Sequence, residues 1–208
     1  LLIQNKALEL SMFLSIPASI ALVIGSEQII SALFGYGSFS MDSVLNASKA
    51  LYYFGLGLPA FALIKVFSTF FFANQDTKTP FYISLVSVLL NILISVYFFK
   101  DIGFIIIPIA TTISSWFNSL ILFIYLKNNN LFEFNKTFLK QLVKIIFASI
   151  MMGTFFQYLI LLFENQLSYA YFFKSAYLLL CVLFTIIFYF AVSYFIKAFN
   201  YQDIKLKY

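Results

Sequence analysis

One charged residue lies deep inside an apolar stretch. Lys65 stands ten residues before Gln75, about 15 Å from the next polar turn at a helical rise of 1.5 Å per residue. That is further than a lysine side chain can snorkel, and a buried ammonium costs at least about 3 kcal/mol unless it meets water, a partner or an anion. Lys65 therefore marks either a substrate or ion pathway or a structural pair with a carbonyl or carboxylate. Asn91 and Ser95, spaced i and i+4, share one helix face. Thr111, Thr112, Ser114, Ser115 and Asn118 crowd the following apolar stretch. Such groups either hydrogen-bond between helices or form a cation site of hydroxyl, amide and carbonyl oxygens. Bond chemistry has no candidates: there is no histidine, all eight acids lie at or near the ends of apolar stretches, and the one cysteine, Cys181, sits among Leu and Phe as packing. No catalytic residue, metal site or cofactor is expected.

The elements that position these residues are membrane helices. The chain of 208 residues is 62% hydrophobic and only 10% charged, with a mean hydropathy of +0.96, whereas soluble domains carry about 25% charge. About 20 apolar residues cross a bilayer, and six stretches reach that length, near 10–33, 50–72, 81–99, 102–126, 142–163 and 171–196. The fold class is all-α, a polytopic membrane bundle of about six helices, with Lys100-Asp101 short enough to force an antiparallel hairpin. Pro17, Pro59 and Pro108 fall inside spans and mark kinks whose freed carbonyls neighbours can satisfy. The net charge of +5 comes from lysines scattered between apolar runs, which argues against nucleic acid as a partner. Lys6, Lys78, Lys127, Lys136, Lys140, Lys144, Lys197, Lys205 and Lys207 gather on one side of the alternating spans, against Lys49, Lys100 and Lys174 on the other. The lysine-rich side is expected to be cytoplasmic and to hold both ends of the chain. The segment 128–140 places Leu131, Phe132, Phe134 and Phe138 among polar residues, so it reads either as an amphipathic stretch along the interface or as a solvated linker. The first residue is Leu1 and no leader pattern is present, so the chain is expected to be the C-terminal part of something longer.

Several motifs together resemble one family. Gly55-Leu56-Gly57-Leu58-Pro59-Ala60-Phe61, then Lys65-Val66, then Gln75-Asp76-Thr77-Lys78-Thr79-Pro80 resemble the tenth helix and following loop of the MurJ (MviN) lipid II flippases, within the MOP exporter superfamily. Leu33-Phe34-Gly35-Tyr36-Gly37-Ser38-Phe39 looks like the family's LFxxGxF, and Trp116-Phe117-Asn118 like its WLN. Glu27 sits where the family usually has AEP, with Gln28 in place of the proline. The resemblance implies helices nine to twelve over 1–127, a cytoplasmic interfacial linker over 128–141, and helices thirteen and fourteen with a cytoplasmic tail over 142–208. Helices one to eight of the same protein would then lie elsewhere.

The implied activity is export of lipid II, the undecaprenyl-linked muropeptide, to the outer leaflet of the bacterial inner membrane by alternating access. Its implied partners are that lipid and the surrounding membrane lipids. Lys65 becomes a substrate-pathway residue. Asn91, Ser95 and Thr111 become a cation site for coupling to sodium or protons, unless the membrane potential drives the cycle, although Ser95 stands where the family often has Asn or Asp. The last two spans imply a lipid-tail groove, with Ser149 and Gly153 as its small face or, alternatively, as the seat of one span on the other. Another MOP-type polysaccharide-lipid flippase or drug exporter is the alternative transporter, and such a protein would not be expected to carry Lys65 followed by QDTKTP.

Overall fold

The computed structural model describes residues 2–198. Its long helices are α1 (Leu2–Ile24), α3 (Met41–Ala73), α4 (Lys78–Ile102), α5 (Ile106–Asn128), α6 (Lys136–Leu162) and α8 (Lys174–Ile196); α2 (Ser26–Phe34) and α7 (Glu164–Leu167) are short. Five apolar stretches are long enough to cross a membrane, and one of them, Lys78–Asn128, runs for 51 residues. Gly103 (φ +74) and a single 3-10 turn break that stretch into α4 and α5. Ser84 pairs with Asn118 and Asn91 with Thr111 across the break, which makes α4 and α5 an antiparallel hairpin and brings the crossing helices among the described residues to six. Lys205 and Lys207, placed above with the cytoplasmic set, lie outside the described residues.

The helices stand in the spatial order α4, α5, α3, α1, α6, α8, and α2 reaches from α3 to α8. Two prolines hold the middle of this row together. Pro17 has no N–H for the Phe13 carbonyl one turn back, and the Tyr189 hydroxyl on α8 donates to that carbonyl at 2.7 Å. Pro59 likewise frees the Gly55 carbonyl, which accepts from Ser19 Oγ on α1 at 2.7 Å. The expectation that neighbours satisfy such carbonyls holds at both sites, and it explains how α1 is fastened to α3 and α8.

Two boundaries differ from the sequence reading. The span expected near 10–33 begins earlier, at Leu2, and is interrupted at Gly25, where α1 gives way to α2; a Cβ there would lie 2.6 Å from the Phe156 ring, so the close packing requires glycine. The segment 128–140 divides: α5 ends at Asn128 and α6 begins at Lys136, and in the mostly exposed turn between them Phe132 is fully buried, stacked on Phe70 at 5.6 Å between centroids. Asn5 clamps this turn by donating to the Glu133 carbonyl at 3.0 Å and accepting from Asn135 N–H at 3.1 Å. Cys181 is buried among Phe156, Leu159 and Leu178, as its apolar neighbours suggested.

Candidate functional site

α3 carries the site. Ser40 caps it by accepting from Ser43 N–H at 3.3 Å, and Asp42 complements the helix dipole in the first turn. Its 33 residues span about 50 Å, more than the hydrocarbon core needs. The first turns, 41–49, which carry Asp42, Ser43, Asn46, Ser48 and Lys49, take up the excess, and Lys65 lies about 12 Å inside the Ala73 end. Lys65 is exposed, on the same face as Phe54, Phe61 and Phe72, and it makes no hydrogen bond or ion pair among the described residues. The structural pair that was one reading of this lysine does not form within them.

Around Lys65 the family-like motifs hold the helix. Gly57 admits α5, since a Cβ there would lie 3.0 Å from Thr112 Oγ1. Thr112 donates to the Tyr53 carbonyl at 2.6 Å and Trp116 Nε1 to the Leu56 carbonyl at 3.1 Å. Below Lys65, Asn74 Nδ2 returns to the Phe70 carbonyl at 2.8 Å, Gln75 takes a left-handed conformation (φ +61) and Asp76 N–H reaches the Phe71 carbonyl at 3.0 Å. The Asp76 carboxylate then starts α4 by accepting from Lys78 N–H at 3.1 Å and Thr79 N–H at 3.0 Å. Hydrogen bonds from Thr79, its hydroxyl first, hold that carboxyl below the ordinary carboxylate range. Pro80, in the first turn, needs no donor. The Gln75–Pro80 motif is thus a helix stop and start that ends α3 and begins α4.

Asn91, Ser95 and Thr111 do come together. Asn91 Nδ2 donates to Thr111 Oγ1 at 3.0 Å and Ser114 Oγ at 3.3 Å, while Ser95 Oγ donates to Asn91 Oδ1 at 3.5 Å. No carboxylate joins them, and among the described residues no three His, Cys, Asp or Glu side chains cluster for a metal ion.

Ser149 and Gly153 are fully enclosed, but not as a groove and not against α8. A Cβ on Gly153 would lie 2.6 Å from Ile20 and 3.0 Å from Ile24, and Ser149 donates to the Ile145 carbonyl at 2.7 Å. The small face therefore seats α6 on α1, and the groove assignment at these two residues does not hold. The apolar cleft of the region, about 460 Å³, lies alongside, between α1, α6 and α8, and is lined by Phe13, Pro17, Met152, Phe156, Tyr189 and Phe190 among others.

The sequence reading passed over Lys174. It is 1% exposed and donates to the Gly35 and Tyr169 carbonyls, both at 2.6 Å, with the Tyr36 and Tyr169 ring centroids 4.3 and 4.6 Å away. Ser175 donates to the Ala32 carbonyl at 2.7 Å beside it. The aromatic run around Lys174, from Tyr169 to Phe173, was the available signal.

Residues 1–179 match a family model described as lipid II flippase MurJ. A probable lipid II flippase MurJ of Rickettsia prowazekii is 30% identical over 210 residues, covering 97% of this chain and 40% of the relative. One of Rhizobium meliloti is 40% identical over 121 residues, 58% of this chain and 23% of the relative. A solved structure of a lipid II flippase MurJ, in an inward closed conformation, superposes with a TM-score of 0.75 at 27% identity, over 97% of this chain and 39% of that one. The chain spans at most about two fifths of the length of these proteins.

Proposed function

This chain belongs to the lipid II flippase MurJ family, and we propose from that premise that it is one lobe of a machine moving undecaprenyl-linked peptidoglycan precursor from the cytoplasmic to the outer leaflet. The supporting observation is Lys65, a cation at membrane depth on an exposed helix face with no protein partner among the described residues. Hydrocarbon is a costly environment for it, whereas a path for a polar, lipid-linked headgroup supplies water and anionic groups. The chain performs no bond chemistry in this reading. It binds and exposes its cargo in turn, with the headgroup passing Lys65 and the polyprenyl tail resting in the apolar cleft between α1, α6 and α8. Asn91, Ser95 and Thr111 serve as the coupling-cation site, a half-turn of the Asn91 amide presenting Oδ1 to the Thr111 and Ser114 hydroxyls.

The family's carriers are multi-pass proteins of the inner membrane. We further propose that the end bearing Lys6, Lys78, Lys127, Lys136, Lys140, Lys144 and Lys197 is cytoplasmic. With Cys181 changed to serine, a cysteine at Thr77 should resist an impermeant thiol reagent and one at Ser43 should react; the reverse pattern would overturn the direction of export. For the transport role, Lys65→Met in the complete flippase should insert normally but fail to support growth of flippase-depleted cells. Full complementation at native expression would remove Lys65 from the path.

A further inference from the structure

α8 is tied to the rest of the bundle at three heights. Near its start, Lys174 and Ser175 donate to the Gly35 and Ala32 carbonyls at the end of α2, at 2.6 and 2.7 Å. Further along, the Tyr189 hydroxyl donates at 2.7 Å to the Phe13 carbonyl that Pro17 frees on α1. At the end of α8 the Lys197 carbonyl accepts from Lys144 Nζ on α6 at 3.1 Å. α6 is in turn seated on α1, Gly153 against Ile20 and Ile24, and α1 on α3, through Ser19 and the Gly55 carbonyl. We propose that α6 and α8 form one rigid body with α1, α2 and α3, so that the apolar cleft keeps its shape through the transport cycle and travels with Lys65.

An arm that opened and closed the cleft by itself would have to slide or swing. A slide of one turn, about 5.4 Å, breaks the Lys174, Ser175 and Tyr189 bonds together, and a swing about either end of α8 breaks the ties at the other. Lys174 is 1% exposed and Tyr189 4%, and a buried polar group that loses its partner costs about 1–3 kcal/mol, more if charged. The two places where such an arm would hinge are also held. The turn that leads into α6 is clamped by Asn5 of α1, at the Glu133 carbonyl and the Asn135 N–H, and Gly25, between α1 and α2, has the Phe156 ring of α6 packed against it. The width of the cleft is therefore set by the chain itself, with Phe13 and Tyr189 both in its wall, and not by its occupant.

The inference rests on the transport reading, and the test separates the two. Ile20→Cys and Gly153→Cys are introduced into the complete flippase, whose other cysteines, Cys181 included, are changed to serine. One carbon–carbon bond, about 1.5 Å, separates Ile20 Cγ2 from its Cβ, and a Gly153 Cβ lies 2.6 Å from that Cγ2, so the pair is within disulfide range. Removing the Ile20 methyl also makes room at 153. In proteoliposomes, oxidation should close the bond, and the oxidised form should move lipid II at the rate of the reduced form, within about twofold. A pair that does not crosslink, or a larger loss on oxidation that reductant restores, would overturn the proposal. If the reduced form moves no lipid II, spin labels at Tyr52→Cys on α3 and Leu179→Cys on α8, both exposed positions, decide instead; a parent that moves none either ends the transport reading separately. One label distance, unchanged by lipid II, supports the rigid body, and a second or shifted distance overturns it.

Discussion

Lys65 and Lys174 are both lysines set within or against the apolar body of the bundle, and they are treated in opposite ways. Lys174 is wrapped: two carbonyls accept from it, two tyrosine rings face it, and almost none of it is exposed. Lys65 is bare, on a helix that its neighbours hold tightly on other faces. A cation satisfied by its own chain fastens elements together, here α8 and the turn before it to the end of α2. A cation without a partner among the described residues at depth is free to meet a passing anion, which is the ground for proposing a transport role for Lys65.

The comparison breaks first at Lys174. Lys174→Met keeps the stem but leaves two buried carbonyls without a donor, so the chain should lose about 3 kcal/mol of stability, read by denaturation in bicelles. Lys65→Met should leave the same midpoint almost unmoved. Equal losses would mean that Lys65 is also structural. A smaller effect is expected at Gly153, where Gly153→Ala drives a methyl into Ile20 and should cost about 2 kcal/mol by overpacking. If that variant is as stable as the parent, α6 is not seated on α1 as described.

The smallest effect is at Asp76, which is half-buried. Its carboxyl lies below the ordinary value of 3.8 because Thr79 hydrogen-bonds the charged form. The sign follows: this stabilisation is fully present above the unfolded value and is lost as pH falls through the lower folded one. The parent should therefore exceed Asp76→Asn in stability at neutral pH, with the gap closing only at acidic pH below 3.8. A gap that widened on acidification would contradict the assignment of Asp76 as the start of α4.

Much of this was legible in the residues. Apolar length located the long helices except the first, which runs from Leu2 to Ile24 rather than near 10–33, and it was the family resemblance, not spacing, that grouped Asn91 and Ser95 with Thr111, which Asn91 meets. The need for glycine at 25 was hidden because the Phe156 ring packed against it lies far along the chain. Lys174 was passed over for the same reason: one of its partners, Gly35, lies 139 residues away and offers a backbone carbonyl that no residue type advertises. Ser149 and Gly153 announced a small face, but spacing cannot say which helix fills it, and α1 does so rather than α8.

The central claim is that Lys65 faces a water-filled path while other equally deep exposed positions face lipid. Single cysteines at position 65 and at Leu93, an exposed residue of α4, placed in the Cys181→Ser flippase, can be treated in native membranes with a small charged thiol reagent. Rapid modification at position 65 and none at 93 is the predicted result. No modification at 65, or equal modification at both, would contradict the account.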